Sequence, residues 1–414
     1  MADHATLSMN DLKKAAEAMS GYVTIDTAAM AVQYPNGVPL TEHVGAYIDI
    51  LECQPHNLEH VRAADLQVWE EAIRSGELED DNRLRLREIT YFSISSAKGS
   101  YSVGALEIAD KELFDSDYIT FAGARYRGRL IFEIGPIHLV AMKSSIIEHP
   151  MEAIYSGCEA TLVIEHERSA SDESIRCFAN AFLFELSASY GLDLQFSPIR
   201  GIAFGPDPFV DIMEPEVIMD GQRPLSIASD QEGSELCGMW LSACQDVVPS
   251  SAFLQFVKCI EYVAVTVVQI EQHEALRTYL TSRVRPALDA EYLRGLVSTV
   301  EEYQRAKRDD RQLIKMTIQR CAVKDALPES VEEVFPKLWS AMERNESQQI
   351  DSEILRVAEA IYDTRNSLVH AKPNYKSTGR EISIINDDVV DVMRSFSLMA
   401  VRWYLRCPPR IRIG

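Results

Sequence analysis

A stretch rich in proline and glycine, residues 197–224, constrains the fold of this chain more than any other feature of its sequence. Its turn-forming residues are Pro198, Gly201, Gly205, Pro206, Pro208, Pro215, Gly221 and Pro224. Proline lacks the backbone N–H and glycine is costly to order, so we expect neither a regular helix nor a central strand to run through it. A chain of 414 residues is long enough for two to three domains. We therefore predict a boundary here, between residues 1–224 and a second region, 235–406.

The first region is predicted to be α+β, with an antiparallel meander or a small barrel-like sheet. Short runs rich in β-branched and aromatic residues, bounded by turn residues, predict strands. These strands are predicted at 22–25, 43–51, 89–95, 101–108, 118–121, 126–134, 137–142 and 160–165. Helices are predicted at about 8–20, at 58–73 from its helical spacing of apolar residues, and at 171–190, with Ser171 or Asp172 as the N-cap.

The second region is predicted to be a helical bundle. Its apolar residues recur with the helical period over long segments. Helices are predicted at 235–247, 252–280, 289–304, 310–321, 328–344, 351–369 and 387–405. The fold class expected for the whole chain is therefore α+β, with sheet-containing structure first and an all-α region after it.

The charge is distributed very unevenly along the chain. The formal net charge is -22, and residues 235–414, with 25 acidic and 24 basic side chains, contribute only about -1 of it. Residues 1–234 hold the other 38 acidic and 17 basic side chains, about -21 in total. Such an acidic surface repels phosphate backbones, so a nucleic-acid partner is expected to bind the second region only.

The sequence predicts a cytoplasmic protein that does not enter a membrane. Its longest strongly apolar stretch, 262–270, lies between Glu261 and Glu271, and spanning a bilayer takes about 20 apolar residues. The first residues, MADHATLSMNDLKK, lack the basic segment and apolar run of a secretory signal. The eight cysteines are scattered without a CxxC pair, as is typical of a reducing compartment.

We expect neither a metal nor another cofactor. Motifs for nucleotide binding, serine hydrolases and zinc proteases are missing from the sequence. His56 and His60 have the i,i+4 spacing of a metal pair, but a loop and one helical face explain them equally well. His166, between two glutamates, is interpreted as a solvated strand end. A competing enzyme hypothesis places the active site within the sheet and uses carboxylates such as Glu107, Glu133 and Glu165, but their spacing does not indicate acid/base chemistry.

The most informative segment is the end of the predicted helix 351–369. Arg365 continues the apolar stripe of this helix, where a leucine would be expected, and a guanidinium there needs an anionic partner or a cleft. Glu261, a carboxylate in the apolar part of another helix, is a candidate for that partner. Asn366 and His370 are four residues apart and share a helix face. His370 lies near the helix end, because Pro373 disfavours continuation.

The hexapeptide Arg365–His370, RNSLVH, resembles the R-x4-6-H motif of the HEPN superfamily of helical domains, and the resemblance covers roughly residues 235–406. Within that superfamily the chain is most similar to large bacterial proteins with an ApeA-like HEPN domain, some of which act in anti-phage defence. The resemblance implies a metal-independent endoribonuclease, a homodimer or higher oligomer, that cleaves tRNA or other single-stranded RNA by attack of a ribose 2′-OH. It further implies a toxin or abortive-infection effector, regulated by residues 1–224 and with a phage-derived protein as candidate trigger.

The motif residues suit this chemistry. Arg365 stays charged and can bind two phosphate oxygens, while an imidazole such as that of His370 titrates near neutral pH. Asn366 is predicted to orient His370 or the phosphate. Positions i and i+5 of a helix lie about 140° apart, so one copy of Arg365 and His370 does not converge, and a two-fold dimer is expected to combine two pairs in one cleft.

Further residues near the motif have two interpretations each. Tyr362 could stack on a base or belong to the core or dimer interface, and Asp363 could tune His370 or be a surface acid. Lys372 and Lys376 are candidates for guiding RNA. The alternative function is a non-catalytic HEPN-type binding or antitoxin module, in which Arg365 pairs with a nearby acid and His370 caps the helix.

Overall fold

The computed structural model of the protein describes residues 24–25, 46–49, 60–61, 68, 71–72, 74–79, 83–96, 118–121, 123–131, 136–144, 160–190, 194–197, 231–281, 290–306, 309–323, 326–369 and 379–412. The chain forms two compact units. The first comprises Met1–Phe182 and Ser189–Leu225, and the second comprises Leu183–Ala188 and Ser226–Gly414. The predicted boundary region 197–224 lies almost wholly outside the described residues, and the chain passes between the units directly after it.

The first unit is α+β, as predicted. Its strands are β1 (Thr24–Ile25), β2 (Ala46–Asp49), β3 (His60–Val61), β4 (Arg83–Leu86), β5 (Ile89–Ser96), β6 (Ile119–Phe121), β7 (Ala124–Ile131), β8 (Ala160–His166) and β9 (Leu194–Phe196). Its helices are α1 (Pro136–Lys143) and α2 (Asp172–Tyr190), the second of which ends beyond the unit. A small sheet has the order β1-β2-β3, and a six-stranded sheet has the order β4-β5-β8-β7-β6, with β9 beside β5.

Every pairing in the six-stranded sheet is antiparallel, as predicted, but β8 lies between β5 and β7, so the sheet is not a simple meander. Successive side chains of a strand point to opposite faces. On one face, Tyr126 of β7 stacks on Phe178 of α2 at 5.0 Å between ring centroids. On the other, a core cluster joins α1 to β4, β5 and β8, and it contains Ala72, Leu84, Leu86, Tyr91, Ile137, Val140, Ala141 and Val163.

The structure corrects three predictions in the first unit. The segment 137–142, predicted as a strand, is helix α1. The helix predicted at 58–73 is wrong at its start, because His60–Val61 pairs with β2, although Ala72 further on is helical. His166 is not solvated: it is buried, and its Nε2 lies 3.0 Å from the Thr90 hydroxyl. The predicted helix cap is present, since Ser171 Oγ accepts a hydrogen bond from the Ser174 N–H at 3.2 Å.

The second unit is almost entirely helical, as predicted. Its helices are α3 (Gln231–Gln245), α4 (Pro249–Thr281), α5 (Ala290–Ala306), α6 (Asp310–Cys321), α7 (Val331–Val334), α8 (Pro336–Glu343), α9 (Ser347–Val369) and α10 (Asp387–Arg406), followed by a 3-10 turn at Pro409–Ile411. One prediction is corrected here. The helix expected at 328–344 is two short helices, because Pro336 has no N–H to continue the first and instead starts the second.

Helix α4 is the centre of the second unit. It contacts α3, α5, α6, α9 and α10. Part of it is long and apolar enough to cross a membrane by length and composition, contrary to the expectation from residues 262–270, but 61% of that window is buried inside the protein. Contacts within the helical unit therefore account for its apolar composition. Beside α4, Trp240 of α3 is fully buried, with the ring of Phe184 edge-on at 5.2 Å and the Ser397 hydroxyl accepting its N–H at 3.1 Å.

Candidate functional site

A cavity of about 730 Å³ lies between α3, α4 and the C-terminal end of α9. Its apolar wall includes Met239, Leu254 and Val369, and its polar wall includes Ser242, Ser251, Gln255, Lys258, Glu261 and Arg365. Arg365 and Val369 are four residues apart on α9, so one face of its last turn lines this cavity. The arginine that the sequence analysis singled out therefore lies at a concave surface, where a ligand can reach it.

Arg365 is held by a carboxylate on α4. Its Nε lies 3.2 Å from Glu261 Oε1, so the ion pair predicted between these residues is present. A more distant carboxylate, that of Asp310, lies 3.9 Å from Arg365 Nη1, and the same nitrogen donates a hydrogen bond to Asn366 Oδ1 at 3.0 Å. Asn366 thus contacts the guanidinium directly. These contacts fix the plane of the guanidinium at the cavity wall.

Burial dominates the electrostatics of Glu261. Loss of solvation raises the pKa of its carboxyl above the usual value, and the nearby charge of Arg365 only partly offsets this. Asp310 raises the same pKa further, whereas Lys258, three residues before Glu261 on α4, lowers it. The site therefore combines two cations, Lys258 and Arg365, with two carboxylates, those of Glu261 and Asp310, and ionisation of Glu261 is costly in this setting.

The turn between α3 and α4 organises another part of the cavity wall. Asp246 accepts hydrogen bonds from the Ser251 hydroxyl, from the backbone N–H of Val248 at 3.0 Å and from Gln255 Nε2 at 2.6 Å. These bonds, led by that of Ser251, hold the pKa of Asp246 below its usual value. Ser251 and Gln255 are thereby fixed in the wall of the cavity by a residue that is not itself part of the wall.

Asp363 is buried, so the interpretation of this residue as a surface acid is wrong. Its side chain is buried, and it bridges two arginines, with Oδ1 2.7 Å from Arg311 Nη2 and Oδ2 3.0 Å from Arg380 Nε. Glu359, one helical turn earlier, extends this cluster to Lys315 and to Arg380, each at 3.0 Å. The cluster ties α9 to α6 and to the segment that begins at Gly379.

Tyr362 is half-buried, and its ring is already covered by a cation. The guanidinium carbon of Arg311 lies 4.8 Å from the ring centroid. The side chain is therefore part of the contact between α6 and α9. This agrees better with a packing role for Tyr362 than with stacking on a base.

The remaining predicted site residues lie outside the described residues. These are His370, Lys372 and Lys376, and the same holds for His56, Glu107 and Glu133. Of the carboxylates considered for an active site in the sheet, Glu165 accepts a hydrogen bond from Tyr118 at 2.5 Å and lies 3.7 Å from Arg129. Among the residues that the structure describes, no group of three or more histidine, cysteine or acidic side chains could hold a metal ion.

Sequence reasoning missed several residues of the site. Lys258 carried a usable signal, because it precedes Glu261 by three positions on one helix and so shares its face. No sequence signal points to Ser242, Asp246 or Asp310. Only the tertiary packing of α3, α4, α6 and α9 brings these residues near Arg365. Arg311 and Arg380 likewise reach Asp363 from distant parts of the chain.

Comparison of the chain with models of known protein families, with curated proteins and with solved structures finds no match. The site must therefore be interpreted from its own chemistry and from the motif in the sequence.

Proposed function

We propose that this protein is a metal-independent endoribonuclease of the HEPN type, in which Arg365, Asn366 and His370 form the catalytic set. The observation that carries the proposal is the placement of Arg365 at the wall of a cavity, beside Lys258 and held by Glu261. Arg365 is half-buried, with Glu261 as its ionic partner, and it faces the cavity, where its planar guanidinium can bind two phosphate oxygens.

In this proposal each residue has a defined role. The Arg365 guanidinium binds the non-bridging oxygens of the scissile phosphate and stabilises the charge of the phosphorane. His370 accepts the proton of the ribose 2′-OH as its oxygen attacks phosphorus, or donates a proton to the departing 5′-oxygen. The P–O5′ bond breaks, leaving a 2′,3′-cyclic phosphate and a 5′-hydroxyl. Asn366, in contact with Arg365, positions the guanidinium.

Both proton-transfer roles are needed in one reaction, and one protomer supplies a single motif histidine. A homodimer that joins two motif helices in one cleft supplies two, together with two copies of Arg365. The substrate class is single-stranded RNA, including tRNA. The biological role that fits is a cytoplasmic toxin or abortive-infection effector in anti-phage defence, restrained by the acidic region 1–224 until a trigger such as a phage-derived protein acts.

The test is cleavage of total RNA and of tRNA in the presence of EDTA. We expect the wild type to cut and to leave 5′-hydroxyl and 2′,3′-cyclic phosphate ends, and we expect Arg365→Ala and His370→Ala each to lose at least about 100-fold in rate. Arg305→Ala is the matched control, because it removes the same charge from an exposed side chain that pairs, among the described residues, only with exposed Glu301 and lies outside the cavity lining, and it should keep its activity. Cleavage that survives both motif substitutions refutes the site.

A second candidate function is supported by the surroundings of Arg365. Two carboxylates, those of Glu261 and Asp310, lie within 4 Å of the guanidinium and partly neutralise it. A non-catalytic HEPN-type binding or antitoxin module would use such a paired arginine without chemistry. In the same assay, this function predicts that the wild type binds RNA and leaves it intact.

A further inference from the structure

The cavity beside Arg365 has a wall, formed by Ser251 and Gln255 of α4, whose hydrogen-bonding direction is fixed. The cause is Asp246, which accepts a hydrogen bond from the Ser251 hydroxyl and another, at 2.6 Å, from Gln255 Nε2. These bonds, that of Ser251 first, hold the pKa of Asp246 below its usual value, so its side chain is a carboxylate at neutral pH and can only accept. Both neighbours must therefore donate towards it.

The atoms left for a ligand at this wall include two acceptors. A hydroxyl that has donated its proton keeps only its lone pairs, so Ser251 Oγ can accept but not donate. An amide that turns its nitrogen towards Asp246 keeps its oxygen for another partner, which makes Gln255 Oε1 the second acceptor. Within the described part of the chain, neither side chain makes a further hydrogen bond. This wall therefore favours a ligand group that carries hydrogen-bond donors.

The spacing between this wall and the cations of the cavity suits one nucleotide. Ser251 and Lys258 are seven residues apart on α4, about 10 Å along the helix axis, and Gln255 lies between them. Arg365 lines the same cavity as Lys258. In a nucleotide, a ribose and a base ring separate the phosphate from the polar edge of the base. The cavity volume of about 730 Å³ is in the range that holds a ligand of this size.

Apolar side chains line the same cavity. They are those of Met239, Leu254, Val257 and Val369. A nucleic-acid base has two flat faces and a polar edge, and proteins recognise single-stranded RNA by packing against the faces and by hydrogen bonding to the edges. Aliphatic side chains and a flexible thioether provide a packing surface for such a face. The cavity thus combines cations for a phosphate, apolar groups for a ring and acceptors for a polar edge.

We propose that this cavity holds one base of the RNA, next to the phosphate bound by Arg365, and selects a base with an exocyclic amino group. The amino groups of adenine and cytosine each carry two N–H donors, whereas guanine and uracil have a carbonyl oxygen at the matching position. One N–H is donated to Ser251 Oγ and the other to Gln255 Oε1. The inference rests on the function proposed above and adds its base preference, with Asp246 as a positioning residue that acts through its two neighbours.

The test compares how nucleoside 3′,5′-bisphosphates bind to the full chain, measured by calorimetry at constant ionic strength. These probes carry a phosphate on each side of one base and contain no phosphodiester to cleave, so they measure base selection separately from catalysis. Adenosine and inosine form one pair, and cytidine and uridine form the other. Within each pair an amino group is replaced by a carbonyl oxygen.

We expect the amino member of at least one pair to bind at least about tenfold more tightly, and the pair that discriminates identifies adenine or cytosine as the preferred base. Equal affinities within both pairs, or no binding at millimolar concentration, overturn the proposal.

Asp246→Asn provides a measurement that a purely structural role would not change. The asparagine carbonyl can still accept the Val248 N–H, while its amide can donate to Ser251 Oγ and so release the hydroxyl proton towards the cavity. The preference for the amino member should therefore be lost or reversed. An unchanged ratio of affinities in this variant would contradict the role of Asp246.

Two further substitutions and a control examine the same ratio. Ser251→Ala should lower the preference at least about threefold, because one acceptor is lost. Ser298→Ala, the same change at an exposed position on α5, should leave the ratio as it is in the wild type. Arg365→Ala should weaken both members of a pair equally, since it removes a phosphate contact and no base contact.

Failure of this inference is distinguishable from failure of the proposed function. If RNA is cut in EDTA without preference for A or C beside the cleaved bond, and the probes bind equally, the base site is wrong and the endoribonuclease stands. If the probes discriminate but RNA stays intact, the cavity is a nucleotide-binding site and the catalytic proposal is wrong.

Discussion

Glu261 and Arg365 show what a single sequence can reveal at the scale of residues. Each is a charge inside an apolar helical stripe, and a charge in such a place needs a partner, so their ion pair could be predicted although 104 positions separate them. The ionic partners of Asp363 could not be predicted from such a pattern. Its partners, Arg311 and Arg380, lie in segments whose positions depend on tertiary packing, and nothing in the local pattern distinguishes a buried acid there from an exposed one.

The raised pKa of Glu261 leads to a prediction for stability. A carboxyl whose pKa is higher in the folded than in the unfolded chain costs the fold stability when it is ionised, and this cost disappears as the pH falls through the raised pKa. Relative to Glu261→Gln, the wild type should therefore gain stability as the pH is lowered from about 7 towards about 4. Urea unfolding at a series of pH values measures the difference.

The control for this prediction is Glu302→Gln, which removes a carboxylate from an exposed position on α5. Its free energy of unfolding should stay within about 0.5 kcal/mol of the wild type across the same range. A Glu261→Gln curve that runs parallel to the wild type would contradict the pKa shift inferred from burial.

At the scale of elements, length decided what the sequence could predict. The long helices α3 to α6, α9 and α10 were predicted within a few residues, because an amphipathic period repeated over several turns is unambiguous. Short apolar runs are ambiguous: the pattern at 137–142 predicts a strand, whereas the structure has helix α1 there. Its buried residues Ile137, Val140 and Ala141 have the i, i+3, i+4 spacing of a helix, and Pro136 is well suited to begin one. The sequence also does not predict the strands β3, β4 and β9, because segments of two to four residues are too short to show a strand period.

The packing of β7 against α2 gives a prediction for a single glycine. A Cβ at Gly128 would lie 2.6 Å from Cδ2 of Phe182, a ring that is fully buried. Gly128→Ala should therefore destabilise the protein by about 1–3 kcal/mol, as overpacking does. Phe182→Leu, which makes room, should recover part of this loss in the double variant.

Chemical denaturation of the two single variants and the double variant measures this coupling. If Phe182→Leu relieves the clash, the loss of unfolding free energy in the double variant should be smaller than the sum of the two single losses by more than about 0.5 kcal/mol. Strict additivity would mean that the sheet and helix adjust independently, and that the close approach of β7 to α2 does not require glycine.

At the scale of the whole molecule, the number of cations at the cavity leads to a prediction for RNA binding. Lys258 and Arg365 line one cavity, so a cleft built from one protomer offers two phosphate contacts and a cleft built from two offers four. Each contact to a single strand contributes about -0.7 to the slope of log affinity against log salt, which gives about -1.4 for one protomer and about -2.8 for a dimer.

Fluorescence anisotropy with His370→Ala, which is expected to bind without cutting, measures this slope, and sedimentation of the same samples gives the oligomeric state. We expect a dimer whose slope of log affinity against log salt is about -2.8. A strict monomer that still cleaves RNA would rule out the composite cleft, and a much steeper slope would mean that cations outside the cavity dominate binding.

The division of helix α2 between the two units limits how gene rearrangement could separate them. Six of its residues, Leu183–Ala188, belong to the helical unit, where Phe184 packs on Trp240, although most of the helix belongs to the sheet-containing unit. A gene segment that begins at codon 226 would therefore encode the helical unit without one of its own pieces. Recombination that reuses the helical unit in another protein would therefore have to include the codons of α2.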